Sequence, residues 1–250
     1  MFQRFYKYAS LRDFYFLSRR LSAWLGLACA LLLAAGAYGG LVLAPPDYLQ
    51  GDVFRIIYVH VPSAWMSLFV YMVMATAGAV LLIWKLKLAE VVASNSAPLG
   101  AAFTFLALVT GSIWGKPTWG AWWVWDARLS SELILLFLYL GYMALQSAIE
   151  DRRAAARAGA VLSLVGIVNI PIIHYSVVWW NTLHQGASVS RLAAPAIHAS
   201  MLTPLLCMAA GFMCYYAYAL LIRARCDILT RERNHAWVRK AALGETGPQG

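Results

Sequence analysis

The stretch "LSAWLGLACALLLAAGAYGGLVL", residues 21–43, contains 23 consecutive residues without a charged side chain. A helix rises about 1.5 Å per residue, so roughly 20 apolar residues cross the hydrocarbon core of a membrane. Backbone polar groups inside lipid must form hydrogen bonds within their own segment, which favours a helix over an open strand. The stretch therefore predicts a transmembrane helix.

Similar apolar runs recur along the chain and predict six spans in total. The chain has 250 residues, of which 62% are hydrophobic and 12% are charged, whereas about a quarter of the residues in soluble domains are charged. The runs are too continuous for the alternating strands of a membrane barrel. We therefore expect an all-α, polytopic membrane protein with one six-helix domain over residues 1–225, and spans near 21–43, 62–84, 97–114, 130–149, 159–180 and 200–222.

The segments that flank the spans carry weaker signals. Aromatic and basic residues alternate before the first span and predict an interfacial helix at about 2–18. The polar segment 226–250 ends in "GETGPQG" and predicts a disordered tail. Gly36 and Gly40 have the GxxxG spacing of close helix packing, and a small partner subunit is one candidate for that face.

The distribution of Lys and Arg predicts the orientation of the chain. Sixteen of the twenty lie on the side that carries both termini, and the other four are Arg55, Lys116, Arg128 and Arg191. By the positive-inside rule both termini are cytoplasmic, and loops 44–61, 114–129 and 181–199 lie outside. The net charge of +9 matches the anionic lipid of the inner leaflet and indicates no nucleic acid.

The second outer loop, "WGKPTWGAWWVWDAR", residues 114–128, is rich in tryptophan. It contains five of the eleven tryptophans: Trp114, Trp119, Trp122, Trp123 and Trp125. Read as a helix, Trp119 to Asp126 would place Trp122, Trp123 and Asp126 on one face with Trp119. A membrane-interface aromatic belt is the alternative. Five tryptophans in twelve residues favour a large planar ligand, because aromatic contacts add about 0.5–1.5 kcal/mol beyond burial.

Histidines near the outer face add a second signal. His60, His174, His184 and His198 all lie in or beside the outer loops. Neutral imidazole ligates iron well, and two histidines from different loops could occupy both axial positions of one haem. Spacing alone does not choose among the four, although we expect His174 to be buried and hydrogen-bonded, and His198 to be the rival of His184.

Charged residues on the same side complete the candidate site. The carboxylates of a haem would need a cation, and Arg55, Arg128 and Arg191 are the candidates. Glu132 stands at the outer rim of the fourth predicted span, where a carboxylate is usually solvated.

Three segments together resemble the CcmC family of haem-handling membrane proteins of c-type cytochrome maturation. They are "WGAWWVWDARLSSELILL" at 119–136, "YVHVPSAW" at 58–65 and "WWNTLHQG" at 179–186, and the resemblance covers roughly residues 20–225. It implies that His60 and His184 are the axial ligands of a non-covalently bound haem b. It also implies that the tryptophan segment contacts the ring and that Asp126 fixes the turn of that segment or pairs with Arg128. Arg128 or Arg55 would receive a propionate.

The same resemblance implies a location and partners. The protein would lie in a bacterial inner membrane with the haem site facing the periplasm. It would deliver haem to the periplasmic chaperone CcmE, which takes it covalently, and act with the transporter subunits CcmA and CcmB and the small membrane protein CcmD. The chain has no Walker A motif, so ATP hydrolysis would belong to a partner. We expect no enzyme activity beyond promoting haem attachment to the chaperone.

Three other functions are considered. A haem exporter that moves haem through its own core would need polar groups along its spans. The first, second, third and sixth predicted spans contain no Asp, Glu, Lys, Arg or His, which favours a surface platform. An electron-transfer cytochrome of the b type would place its ligands within helices rather than at their ends. A structural subunit of the transporter complex would bind no haem.

Overall fold

A bundle of long helices forms the protein, and the predicted all-α fold with six spans is confirmed. The computed structural model describes residues 10–180, 182–184, 186 and 197–242, and this part of the chain contains no β-strand. Six segments are long and apolar enough to cross a membrane. They are Leu11–Leu43, Asp52–Trp84, Lys87–Trp119, Ala127–Ala148, Arg152–Trp179 and Ala199–Arg231.

The helices follow one another with short connections. The first five are α1 (Leu11–Tyr38), α2 (Ile57–Trp84), α3 (Lys87–Trp119), α4 (Ala127–Ala148) and α5 (Arg152–Gly166). They are followed by α6 (Asn169–Trp179), α7 (Ala199–Arg231) and α8 (Ala236–Ala242). A π-helical turn, Gly39–Leu43, extends α1, and a 3₁₀ turn, Asp52–Ile56, precedes α2. Helices α5 and α6 together form the fifth span.

The N-terminal segment joins the first span without a break. Ser10 caps α1 by accepting a hydrogen bond from the Asp13 backbone N–H at 3.1 Å. Residues 11–18 of the expected interfacial helix are therefore the first turns of α1, and residues 2–9 lie outside the described part of the chain.

The prediction of a disordered tail from residue 226 is wrong as far as residue 242. Helix α7 continues to Arg231, and α8 follows after a short turn. The ring of Trp237 in α8 lies 5.5 Å from that of Tyr15 in α1, and its Nε1 donates to Glu232 at 2.7 Å. These contacts hold the segment against the bundle; residues 243–250 lie outside the described part.

Glycines in α1 allow close packing within the chain. A Cβ on Gly36 would lie 2.8 Å from Cγ of Met208 in α7, and one on Gly40 would lie 2.6 Å from the Tyr58 ring in α2. The GxxxG spacing therefore serves contacts with α7 and α2.

The bundle has two distinct ends. We call the end with the loops 44–56 and 120–126 and the C-terminus of α6 the cleft end, and the end with the turns 85–86 and 149–151 the opposite end. At the opposite end four charged side chains join α3, α5 and α7. Arg152 contacts Glu90 at 3.2 Å and Asp227 at 3.1 Å, and Arg231 contacts Asp227 at 2.7 Å and also pairs with Glu90.

Candidate functional site

A cleft opens at the cleft end between α2, α3, α4 and the segment that follows α6. Its empty volume is about 700 Å³, including the part open to solvent. The side chains around it include His60, His184, Trp114, Trp119, Arg128 and Glu132. The structure thus brings together five of the residues proposed from the sequence, and it adds Glu132.

Contacts with α3 fix the orientation and the tautomer of the His60 ring. Its Nδ1 lies 3.1 Å from the Ala107 carbonyl oxygen and 3.1 Å from the Thr110 hydroxyl. Thr110 donates its own proton to the Leu106 carbonyl at 2.6 Å. A carbonyl oxygen only accepts, so in the neutral imidazole Nδ1 carries the proton and Nε2 keeps its lone pair. A ring nitrogen fixed to a backbone carbonyl is typical of metal-ligating histidines.

Gly111 and Trp114, on the same face of α3, set the position of the His60 ring. Residues 107, 110, 111 and 114 share one face of α3 because they are spaced at three and four residues. A Cβ on Gly111 would lie 3.0 Å from Cε1 of His60, so the absence of a side chain leaves room for the ring. Trp114 meets the ring edge-on at 5.6 Å and donates from Nε1 to Gln50 at 2.7 Å.

His184 faces His60 across the cleft. The ring centres are 6.3 Å apart with an interplanar angle of 34°, and the Trp119 ring lies 6.0 Å from His184. An imidazole nitrogen bonds a metal at about 2.0–2.1 Å and the ring centre lies roughly 1 Å behind it, so two rings sharing one metal have centres about 6 Å apart. His60 and His184 are therefore close enough that both could hold the iron of one haem.

The predicted helix from Trp119 to Asp126 is wrong. Helix α3 ends at Trp119, and Gly120 adopts the left-handed conformation with φ of 78°, which ends helices. Asp126 begins α4 by accepting a hydrogen bond from the Leu129 backbone N–H at 2.8 Å. Trp122 and Trp123 therefore do not share a helix face with Trp119.

Three of the five tryptophans lie beside the cleft rather than in its wall. Trp122 and Trp125 are exposed, and the half-buried Trp123 packs edge-on against Trp125 at 5.4 Å. The Ser112 hydroxyl donates to the Trp122 carbonyl at 2.6 Å and ties this segment to α3. Nε1 of Trp123 and Oδ2 of Asp126 are buried and have no hydrogen-bond partner among the described residues.

One of the three candidate cations lines the cleft. Arg128 does so, and its Nη1 donates to the Ile173 carbonyl at 2.9 Å. Arg55 instead pairs with Asp52 at 2.8 Å and donates to the Gly40 carbonyl at 2.6 Å, so it fastens the π-helical turn. Arg191 lies outside the described residues. Within those residues no ion pair joins Asp126 to Arg128, so the capping role of Asp126 is the one that the structure shows.

Glu132 is buried in the cleft wall, contrary to the expectation of a solvated rim residue. It is 7% exposed, and Ser67 of α2 donates to its Oε1 at 2.7 Å. It lies one turn after Arg128 on α4, and this spacing of four residues puts both on one face. That spacing is the sequence signal for Glu132. Gln50 and Thr110 have no comparable signal, because Gln50 reaches the cleft from a separate loop and Thr110 contacts His60 from another helix.

The two other outer histidines lie away from the cleft. His174 is exposed with its ring 4.7 Å from Tyr175, so the expectation of a buried His174 is wrong. His198 is exposed and caps α7, accepting from the Ser200 backbone N–H at 3.3 Å. The described structure therefore favours His184 over His198 as the partner of His60.

Comparison with known proteins gives consistent matches. Residues 4–239 match the family model CcmC, described as "Heme exporter protein C". A protein of that name from Haemophilus influenzae is 48% identical over 98% of this chain and 99% of its own length. The Escherichia coli (strain K12) protein of that name is 50% identical over 88% of this chain and 89% of its own. A Marchantia polymorpha protein, whose name includes "cytochrome c biosynthesis ccmC-like mitochondrial protein", is 43% identical over 88% and 94%.

Proposed function

The chain belongs to the CcmC family, and from that membership we propose that it handles haem for cytochrome c maturation. More specifically, it binds non-covalent haem b in the cleft between His60 and His184 and presents it to a chaperone outside the membrane. The observation that carries this proposal is the histidine pair. His60 presents a lone pair on Nε2, and its ring centre lies 6.3 Å from that of His184.

Residues around the histidines suit the rest of the ring. Arg128 is the cation in the cleft wall and would receive a propionate through charge-assisted hydrogen bonds. Trp114 and Trp119 supply apolar walls on either side of the histidines. When bound, haem supplies the iron and the vinyl groups, while the protein supplies position and surroundings.

The exposed tryptophans suit a different role from the cleft tryptophans. Trp122 and Trp125 are 57% and 77% exposed, more than a side chain that encloses a ligand would be. In this proposal they form the edge over which the chaperone CcmE receives haem. Large exposed aromatic groups at the centre of an interface commonly dominate binding.

Charge asymmetry supports the location. The excess of Lys and Arg on the opposite end supports a cytoplasmic location for that end. In this proposal the protein lies in a bacterial inner membrane and the cleft end faces the periplasm. The chain itself has no Walker A motif, so the transporter subunits CcmA and CcmB would use ATP, with CcmD as a small membrane partner. In this scheme the chain is a haem-presenting protein rather than an enzyme.

Transport of haem through the core has less support. The buried polar groups between the helices bond to one another: Ser67 to Glu132, Ser96 to Tyr216 at 2.8 Å, and Tyr139 to the Ser67 carbonyl at 2.7 Å. A pathway for a dianionic ligand would instead need polar groups that are available to it.

The test is the absorption spectrum of the purified protein, oxidised and then reduced. We expect a bis-imidazole haem spectrum in the wild type, and its loss or conversion to high spin in both His60→Ala and His184→Ala, with partial recovery on adding imidazole. The matched controls are His174→Ala and His198→Ala, which should keep the wild-type spectrum. A wild-type spectrum in His184→Ala, or its loss in His198→Ala, would show that the ligand assignment is wrong.

A further inference from the structure

A groove at the opposite end carries four exposed cations. It lies between the end of α2, the start of α3 and the start of α5, and its empty volume is about 970 Å³ including open solvent. The cations are Lys85, Lys87, Arg153 and Arg157, and all four are exposed. Leu81 and Leu82 form an apolar wall one turn deeper in the bundle.

These cations are not neutralised by the neighbouring ion pairs. In the part of the chain that the structure describes, no ion pair at this end includes any of the four. Glu90 also lines the groove, but its carboxylate is taken by Arg152 and Arg231. Arg153 and Arg157 are spaced four residues apart on α5, an arrangement in which like charges repel. The groove therefore keeps a concentrated positive charge.

The backbone at Lys85 is a second, independent observation. Lys85 has φ of 53° and ψ of 32°, and it is the one non-glycine residue with positive φ in the described part of the chain. This left-handed conformation costs a residue with a Cβ about 1–2 kcal/mol, whereas glycine adopts it freely. The turn would be more stable with glycine, so the lysine side chain stands there at a cost in stability.

The surroundings indicate an amphiphile as the ligand. Ile83 and Trp84, beside the lysine turn, are exposed large apolar side chains at the end of a membrane span, where aromatic residues meet lipid headgroups. Cations at headgroup level with leucines one turn deeper match a phosphate joined to acyl chains. Basic pockets between transmembrane helices on the cytoplasmic side bind anionic headgroups in this way.

We propose that this groove binds an anionic phospholipid, with its phosphate among Lys85, Lys87, Arg153 and Arg157 and an acyl chain along Leu81 and Leu82. Helix α3 begins at Lys87 without a side-chain cap, so its first backbone N–H groups add to the attraction for phosphate. Four cations exceed the charge of one phosphodiester. A lipid with two phosphodiester groups therefore binds more tightly than a lipid with one.

The test uses the delipidated full-length protein in neutral detergent and follows its thermal unfolding midpoint. The added probes are diphosphatidylglycerol, phosphatidylglycerol, phosphatidylcholine and inorganic phosphate. We expect the largest rise with diphosphatidylglycerol, a smaller one with phosphatidylglycerol, and none with the other two. If inorganic phosphate raises the unfolding midpoint as much as diphosphatidylglycerol does, the groove binds anions in general and the lipid proposal is wrong. If phosphatidylcholine raises it as much, the charge of the lipid has no role and the proposal is also wrong.

Variants separate a specific groove from general attraction of the basic surface. Arg153→Gln with Arg157→Gln should weaken diphosphatidylglycerol binding roughly thirtyfold, since each of the two cations contributes about 1 kcal/mol near a lipid surface. The matched control, Arg19→Gln with Arg20→Gln, removes two exposed cations outside the groove and should leave binding unchanged. Equal losses in the two pairs, or no loss in the first, would overturn the proposal.

Lys85→Gly should change protein stability and lipid binding in opposite directions, which a purely structural role of Lys85 would not produce. It should raise the unfolding midpoint of the lipid-free protein, because the strained turn is relieved, and at the same time reduce the rise caused by diphosphatidylglycerol. A variant that is more stable yet keeps the full lipid response would show that the Lys85 side chain is not part of the site.

Discussion

Charged and polar groups are arranged differently at the two ends of helix α3. At the opposite end, Glu90 pairs with Arg152 and Arg231, and Asn95 donates to Asp227 at 3.1 Å. At the cleft end, the fixed His60 faces a second histidine, and two buried polar atoms of the tryptophan segment have no partner among the described residues. Side chains that satisfy one another hold helices together, whereas side chains left open can receive a ligand.

The same distinction between paired and available side chains applies to two arginines that the sequence alone does not distinguish. Arg55 and Arg128 both lie on the predicted outer side, and either could bind a propionate. Arg55 is occupied by Asp52 and the Gly40 carbonyl, whereas Arg128 lines the cleft. A paired arginine contributes to stability, and an arginine in a cleft wall is available for binding.

The largest effect is expected for Arg128→Gln. A hydrogen bond to a charged group contributes about 1.5–3 kcal/mol, so haem affinity should fall roughly ten- to a hundredfold. Haem titration followed by absorbance measures this. Arg55→Gln is the matched control and should keep wild-type affinity while lowering the unfolding temperature. The reverse pattern would assign the propionate to Arg55.

The next effect tests the space that Gly111 leaves for His60. Gly111→Ala would place a Cβ 3.0 Å from the ring, so His60 must shift, and disturbing a ligand's support commonly lowers metal affinity about tenfold or more. Alanine is about 1 kcal/mol more favourable than glycine in a helix. This gain offsets part of the free energy that shifting the His60 ring costs, so the stability of the protein should change little. Gly141→Ala on α4 is the control, because its Cβ would meet Leu162 at an ordinary 3.6 Å. Unchanged haem affinity in Gly111→Ala would contradict a fixed ring position.

Much of the fold follows from the sequence, because the lengths of the apolar segments and the positions of the charged residues can be read directly along the chain. The six spans, and the positions of His60 and Trp119 near helix ends, were predictable for this reason. The burial of Glu132 was not, because it depends on Ser67 of another helix. The end of α3 at Trp119 was not predicted, because the tryptophans have helical spacing across Gly120. A glycine is nevertheless the usual residue just after a helix C-terminus. The Thr110 contact to His60 joins residues 50 positions apart, and no local pattern indicates it.

A smaller effect is expected for Thr110→Val, which removes one of the two acceptors at His60 Nδ1. The Ala107 carbonyl remains, and one neutral hydrogen bond contributes about 0.5–1.5 kcal/mol, so haem affinity should fall about two- to tenfold. Thr110→Ser should restore it. The control is Thr104→Val, which removes a hydroxyl bonded in the same way to a carbonyl four residues earlier, at 2.8 Å. Equal losses of affinity in both valine variants would show that the hydroxyl acts on helix α3 rather than on His60.

The smallest effect on haem is expected from the opposite end. Asp227 contacts Arg152, Arg231 and Asn95, so Asp227→Asn leaves two arginines with one fewer anion. Because the network is partly exposed, we expect a loss of about 1–2 kcal/mol in the free energy of unfolding. The haem affinity and spectrum should stay at wild-type values, since these residues lie at the opposite end of the bundle and none of them lines the cleft. Thermal unfolding and haem titration on the same preparation measure both quantities. A fall in haem affinity without a fall in stability would mean that the two ends are coupled, and that α3 transmits a change at the ion pairs to His60.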